Sequence, residues 1–326
     1  MWTGSGWPSG HLQTIVAAKL ARAQNRALPW LRERWSTPDA DFIDVDWIRP
    51  APAHAQTPLL VLFHGLEGSS DSHYARAFAD LACDRQWALA LPHFRGCSGE
   101  INRAPRAYHS GDWPEIEWIL QRLRADHAGP MYAVGISLGG NALMRWAGAR
   151  GAQALERLDA AASVCAPLDL VASGLALEQG FNRWVYTPMF LRTMKPKARA
   201  KWQQYPGLFD LDRALRARTL RDFDDAFTAP VHGFRDVMDY WQRASAKPHL
   251  REIRLPSLLL NACNDPFVPA ASLPVADDVS AAVTLSQPAQ GGHVGFVQGG
   301  FPGHVHAMPQ MVADWLSQHT SSTARG

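Results

Sequence analysis

A serine flanked at two residues on either side by glycine, Gly135-Ile-Ser137-Leu-Gly139, lies where an apolar run, Met131–Ile136, gives way to a segment of helical spacing, Leu138–Arg150. In the second segment Leu138, Ala142, Leu143 and Trp146 fall on one stripe. A strand that turns sharply into a helix forces the residue at the turn into a strained backbone conformation. Side chains two residues before and after it would crowd across the turn, and glycine at 135 and 139 relieves that crowding. The serine hydroxyl is then projected above the end of a sheet, beside a helix N-terminus. This context makes Ser137 a candidate catalytic nucleophile.

A serine hydroxyl attacks only when a base takes its proton, and the base needs a third group to fix its tautomer and offset its developing charge. The best acid downstream is Asp265, in the turn Ala262-Cys-Asn-Asp-Pro-Phe267 after the apolar run 257–261, where Pro266 stiffens the chain. A loop at the C-terminal end of a strand faces the active edge of an open sheet. Asp169, after an earlier strand, is the rival acid; a capping role at the start of the next segment is its alternative. The best base is His293 in Gln290-Gly-Gly-His-Val-Gly-Phe296, where glycines let the imidazole approach the serine. Thirteen histidines are present, and His304 and His306 also follow the last strand, but they sit at the start of a terminal helix and read as surface residues. The oxyanion of an acyl-transfer intermediate needs two donors. The backbone N–H of Leu138 is one, and that of Leu66, in His64-Gly-Leu-Glu-Gly68, is the other.

Those residues must be positioned by strands, and continuous apolar runs suited to strands buried on both faces occur at Leu59–Phe63, 87–91, Met131–Ile136, 161–166, 257–261 and 282–286. Helical patterns alternate with them at 72–85, 113–127, Leu138–Arg150 and 305–319. The second shows its stripe at Ile116, Ile119, Leu120 and Leu123, with Asp112 as N-cap and Pro114 in the first turn. Alternation of this kind predicts a mostly parallel, doubly wound α/β sheet. Residues 170–250 carry helical signals and no strand signal, which predicts a helical insertion, a lid or cap, within a single domain spanning 1–326. Its aromatic residues, among them Phe181, Trp184, Tyr186, Phe190, Trp202, Tyr205 and Phe209, are expected to fill the insertion's own core, with some lining an acyl groove. The chain from Ser321 onward is expected to fray.

Bulk properties narrow the classes. With 326 residues, 47% hydrophobic and 19% charged, the chain has material for a large core and is not disordered. A net charge of +2 with interspersed signs argues against nucleic acid. The basic stretch Arg192–Lys201 reads as a solvated helix face in preference to a contact with an anionic surface. The cysteines at 83, 97, 165 and 263 have no metal-ligand or redox spacing; Cys83, Cys165 and Cys263 are expected to be buried thiols in a reducing, cytoplasmic setting. The first ten residues lack a signal-peptide pattern, and no apolar run is long enough to span a bilayer; peripheral membrane contact stays open.

Together, His11-Leu-Gln-Thr-Ile15, His64-Gly-Leu-Glu-Gly-Ser69, His93-Phe-Arg-Gly-Cys-Ser-Gly-Glu100, Tyr108-His-Ser-Gly111, Gly135-Ile-Ser-Leu-Gly-Gly-Asn141, Asn264-Asp-Pro-Phe267 and Gly291-Gly-His-Val-Gly-Phe296 resemble the YheT-like branch of the α/β hydrolases over nearly the full length. Relatives commonly carry proline soon after His-Leu-Gln-Thr, where this chain has Val16-Ala-Ala18. The resemblance implies an α/β-hydrolase fold and a serine esterase acting on small-molecule carboxylic or lipid esters, without metal or organic cofactor. In it Ser137, Asp265 and His293 occupy the charge-relay positions. A thioesterase or acyltransferase would use the same residues. A non-catalytic binding protein on this fold would not need them. His11–Ile15 reads as a structural arm, and Arg95-Gly96 and Tyr108–Gly111 as scaffold around the site.

Overall fold

The computed structural model describes residues 9–21, 27–50 and 56–320; the expected fraying from Ser321 lies outside them. Eight strands form one sheet: β1 (Leu31–Ser36), β2 (Phe42–Ile48), β3 (Leu59–Phe63), β4 (Ala88–Pro92), β5 (Met131–Ile136), β6 (Ala160–Val164), β7 (Ser257–Leu260) and β8 (Val283–Ser286). Their spatial order is β1-β2-β4-β3-β5-β6-β7-β8. The pairs β1/β2 and β2/β4 are antiparallel and all the others parallel. Every residue of β3, β5 and β6 is buried, as a sheet covered on both faces requires. Alternate side chains go to opposite sides. Leu59, Val61 and Phe63 pack with Ile116, Leu120, Leu143 and Trp146 from α3 (Trp113–Asp126) and α4 (Leu138–Arg150). Leu60 and Leu62 pack with Phe78 and Leu81 of α2 (His73–Arg85) and Leu316 of the C-terminal helix Ala307–Ser317.

Strands β1 and β2 carry no apolar run and escape the sequence reading. Their signal is electrostatic and cross-strand. Arg32 stands opposite Asp46, and Arg34 opposite Asp44. Each guanidinium grips its carboxylate with two hydrogen bonds of 2.7–2.9 Å. Asp44 and Asp46 are buried within a strand all seven of whose residues are buried. Burial pushes the Asp46 carboxyl up, but the bonds from Arg32 and His93 outweigh it and hold it below the usual range.

A helix absent from the sequence reading, α1 (Gly10–Lys19), is capped by Ser9, whose hydroxyl accepts from the Leu12 N–H at 3.2 Å. In α3 the expected N-cap, Asp112, occupies its position but makes no capping bond; its carboxylate receives Arg106 instead. Between β6 and β7 every described element is helical, beginning with α5 (Leu170–Leu177), α6 (Gly180–Trp184) and α7 (Tyr186–Gln204) and including Val237–Ala244. This segment has its own core, in which Tyr186, Leu191, Phe209, Phe223 and Phe227 meet Phe267. Of the aromatic residues expected inside it, Phe181 and Trp184 are instead exposed. Asn141 of α4 fastens the end of the segment. Its amide donates to the Ser110 and Ala244 carbonyls at 2.8 and 2.9 Å and accepts from the Ala246 N–H at 2.9 Å. The cysteines form no disulfide; Cys165 is buried, Cys83 and Cys97 half-buried, and Cys263, expected inside, is exposed. Among the described residues no helix is long and apolar enough to cross a membrane, and no group of His, Cys, Asp and Glu has the arrangement to hold a metal ion.

Candidate active site

Ser137 sits between β5 and α4 with φ 53° and ψ −119°, a conformation that costs a non-glycine residue on the order of 1–3 kcal/mol. The cost is sustained by its surroundings. Its N–H donates to the Val164 carbonyl at 2.8 Å, and its own carbonyl accepts from Gly140 and Asn141 at 2.9 and 3.1 Å. A Cβ at position 135 would stand 2.4 Å from the Gly139 carbonyl oxygen, across the turn as expected. At 139 the obstacle is different: a Cβ there would lie 2.4 and 2.5 Å from the carbonyl oxygens of Phe63 and His64. The second glycine is therefore demanded by the neighbouring strand end.

The structure brings Ser137, His293 and Asp265 into one chain of hydrogen bonds. His293 Nε2 is 3.0 Å from Ser137 Oγ, and His293 Nδ1 is 2.8 Å from Asp265 Oδ2. An ionised carboxylate only accepts, so Nδ1 carries the hydrogen and Nε2 is free to accept from the serine hydroxyl. Asp265 is buried in the turn after β7, and its Oδ1 accepts from the Phe267 N–H at 2.8 Å. The Phe267 ring lies against the imidazole, centroids 4.3 Å apart. Asp169 takes the capping alternative, accepting from the Ala172 N–H at 3.0 Å at the start of α5. His304 and His306 stack on each other, centroids 5.5 Å apart, near the start of the C-terminal helix.

Leu66 and Leu138 both face the cavity that opens over Ser137 and His293. The amides on either side of Leu66 are engaged: Gly65 N–H donates to Tyr74 Oη at 2.9 Å and Glu67 N–H to Tyr108 Oη at 3.0 Å. Those of Leu66 and Leu138 donate to no group of the described chain. His64 shapes this loop. It accepts from the Phe94 N–H through Nε2 at 3.0 Å, so its Nδ1–H donates to the Gly65 carbonyl at 2.7 Å. Burial, aided by nearby His93, pushes its pKa down to about 3, and it stays neutral. Tyr108 also donates to Glu67 Oε1 at 2.8 Å, and Lys197 of α7 pairs with the same oxygen at 2.8 Å, so the helical segment is tied to the loop beside Leu66. Arg95, likewise read as scaffold, holds Asp39, Asp41 and Glu115 together and also borders the cavity.

His11–Ile15, expected to be a structural arm, has a physical role in the structure. The fully buried Gln13 side chain reaches both loops of the hydrogen-bonded trio. Its Oε1 accepts from the Gly291 N–H at 2.8 Å and the Asn264 amide at 3.1 Å, while its Nε2 donates to Gln290 Oε1 at 2.9 Å. Asn264 Oδ1 in turn accepts from the Gly292 N–H at 2.9 Å. Thr14 Oγ1 accepts from the backbone N–H of His293 itself at 2.8 Å and donates to the Gly10 carbonyl at 2.7 Å. A Cβ at position 10 would lie 1.9 Å from the Asn264 carbonyl oxygen, so only glycine lets α1 seat against the acid loop. From the far side Cys165 Sγ accepts from the Val294 N–H at 3.2 Å; burial and the neighbouring Asp265 push this thiol's pKa well up. No local pattern could have identified the braces from Gln13, Thr14 and Cys165, because each of them acts across more than 120 residues.

The wall of the cavity is mainly apolar, with Leu177, Phe190, Met194, Phe223, Phe227 and Trp241 contributed by the helical segment. Over residues 58–300 the chain matches the model of the alpha/beta hydrolase fold family. It is 39% identical to the Escherichia coli (strain K12) protein YheT over 96% of this chain and 92% of that one. It is 29% identical to phospholipase ABHD3 of Mus musculus, over 82% of this chain and 66% of that one. Among solved structures, an esterase from Pyrococcus furiosus, Pf2001, superposes with TM-score 0.56 at 15% identity, covering 92% of this chain and 99% of that one. Est1E from Butyrivibrio proteoclasticus, solved with ferulic acid bound, superposes with TM-score 0.55 at 14% identity, covering 88% and 98%. On the family match, and on identity sustained over almost the whole length of YheT, this chain belongs to the YheT-like branch of the esterase- and lipase-type α/β hydrolases.

Proposed function

We propose that this protein is a serine hydrolase that cleaves carboxylic esters of apolar acyl groups through an acyl-enzyme. The observation that carries the reading is the Ser137–His293–Asp265 relay at 3.0 and 2.8 Å beneath an apolar cavity. Ser137 Oγ attacks the ester carbonyl as its proton passes to His293 Nε2. The imidazolium so formed is offset by Asp265 through Nδ1–H. The negative charge that develops on the carbonyl oxygen is met by the unengaged amides of Leu66 and Leu138. His293 returns the proton to the departing alcohol. Water then enters, gives a proton to His293 and releases the acid, restoring the serine. The chain acts as one α/β-hydrolase domain whose helical segment, near 170–250, is a cap that shapes the acyl pocket. The apolar lining and the relatives named phospholipase support a lipid ester as substrate. Four free cysteines fit a reducing, cytoplasmic setting.

The test is hydrolysis of a p-nitrophenyl ester series from acetate to palmitate. Turnover is expected with an optimum at intermediate acyl length, together with stoichiometric labelling of Ser137 by a fluorophosphonate. Folded protein that neither turns over any ester nor labels would refute the reading.

The same reading gives α1 a kinetic consequence. Thr14→Val keeps the side-chain shape but removes the acceptor of the His293 N–H, releasing the imidazole's loop from one side. The expected result is a fall in kcat of about 10- to 100-fold with KM little changed, since small misplacements of catalytic groups are costly. Thr14→Ser restores the rate. Steady-state kinetics on p-nitrophenyl butyrate check this, and a Thr14→Val rate equal to wild type rules the brace out.

A further inference from the structure

The outward face of α6 and the first half of α7 is built unlike an ordinary solvated helix surface. Trp184 is 77% exposed, Met189 47% and Phe181 46%, and Val185 and Pro188 are exposed between them. From Val185, just before α7, the exposed positions 185, 188, 189, 192, 196 and 199 recur at helical spacing, so one face is apolar at its start and carries Arg192 and Arg199 further on. A groove beside Trp184 is lined by Arg183, Arg192, Lys195 and Arg218 with Pro188, Leu191 and Ala217, and by no acidic residue. Arg183 lies over the Trp184 ring at 5.8 Å. Among the described residues Arg183, Arg192, Arg199 and Arg218 are in no ion pair with a carboxylate. The nearby acids are already used: Asp222 accepts from the Arg218 and Thr219 backbone N–H groups, and Glu178 pairs with Arg221. Lys195 donates to the Ala217 carbonyl at 2.7 Å within the groove wall, while the other two lysines of α7 turn inward, Lys197 to Glu67 and Lys201 to the carbonyls of Asn102 and Ala104.

We infer that this face docks the protein on the surface of an anionic phospholipid bilayer, with Trp184 and Met189 entering the interface and Arg183, Arg192, Lys195 and Arg218 meeting lipid phosphates. An indole and neighbouring apolar side chains beside arginines without carboxylate partners match a surface that is apolar below and negative above, whereas water solvates the charges but leaves the apolar cluster exposed. The placement suits the site. A chain of ring contacts runs from the exposed Phe181 to Tyr186 at 5.7 Å, from Tyr186 to Phe267 at 4.6 Å, and from Phe267 to His293 at 4.3 Å. The face is thereby linked through packed rings to Phe267 and His293, which line the cavity over Ser137. Arg192 and Arg199 are exposed, as a solvated face requires; the exposed apolar cluster next to them is what favours docking.

The experiment is vesicle co-sedimentation of the full chain. Pure phosphatidylcholine vesicles are compared with vesicles containing about 30 mol % phosphatidylglycerol, at salt from about 50 to about 500 mM. The expected result is at least tenfold tighter binding to the anionic vesicles, weakened by salt. Trp184→Ser with Met189→Ser, and separately Arg183→Glu with Arg192→Glu, should each lose that binding at least tenfold. Both variants should keep the wild-type thermal midpoint and the wild-type rate on soluble p-nitrophenyl butyrate. Vesicle binding by Ser137→Ala is expected to match wild type, so docking is read independently of hydrolysis. Failure of the wild-type protein to bind, binding unchanged in either double variant, or a wild-type dimer in sedimentation that Trp184→Ser with Met189→Ser converts to monomer would overturn the proposal, the last by assigning the face to a second copy.

Discussion

Replacing Ser137 with alanine should lower kcat on p-nitrophenyl butyrate by about 10⁵- to 10⁶-fold with the thermal midpoint unchanged, because relay members act as a unit. The side chain removed is small, and its one hydrogen bond in the structure is to His293 Nε2. Alanine bears the same positive-φ strain as serine, so the turn that Val164, Gly140 and Asn141 hold through backbone bonds is preserved. What disappears is the nucleophile. The cavity and the Leu66 and Leu138 amides remain, so a residual rate above that of water is expected from binding and oxyanion stabilisation alone. Retention of a tenth or more of wild-type kcat would exclude Ser137 as the attacking group.

The second large effect is expected from Asp265→Asn, a change of one atom in a buried group. In the wild-type site Oδ1 accepts from the Phe267 N–H at 2.8 Å and Oδ2 faces His293 Nδ1 at 2.8 Å. The Phe267 N–H requires an oxygen opposite it, so the asparagine carbonyl is pinned there and its NH₂ is turned to the imidazole. A donor now faces Nδ1, which must become the acceptor and send the hydrogen to Nε2. That nitrogen can no longer take the serine proton. The expected loss is about 10⁴-fold in kcat, the size of effect a wrong tautomer produces in serine proteases, with KM changed by less than about threefold. If Asp169 were the working acid, Asp265→Asn would stay near wild type and Asp169→Asn would lose activity. As Asp169 caps α5, its amide variant is expected to cost some stability and little rate.

Six of the eight strands were legible because parallel strands buried on both faces must be continuously apolar; their ends moved by two residues at most. Helices α2, α3, α4 and the C-terminal helix were legible because one face of each has to meet the sheet, whereas α7, whose residues pack in the segment's own core, was not delineated. Strands β1 and β2 have no continuous apolar run; β2 instead alternates Ile43, Val45 and Trp47 with Asp44 and Asp46, and the opposition of Arg32 to Asp46 and of Arg34 to Asp44 is visible only once register is known. Helix α1 was invisible because its role is polar. Its Gln13 and Thr14 are spent on loops nearly 280 positions away. The exposed Trp184 and Phe181 went the other way: aromatic composition predicts burial, and only the packing of the segment around Tyr186 and Phe227 shows which rings are left outside.

What the sequence determined by itself was the strand–serine–helix turn and the candidates Ser137, Asp265 with its rival Asp169, and His293. Those are written in local backbone demands: glycine where a Cβ would meet a carbonyl oxygen, and an apolar run ending where the chain must turn. Tertiary structure alone decided that Asp265 and not Asp169 reaches His293, that α1 braces the loops of both, and which face of α7 is left to the surroundings. Each of those depends on distances between segments far apart in the chain, and such distances are set by how the whole sheet and its helices pack.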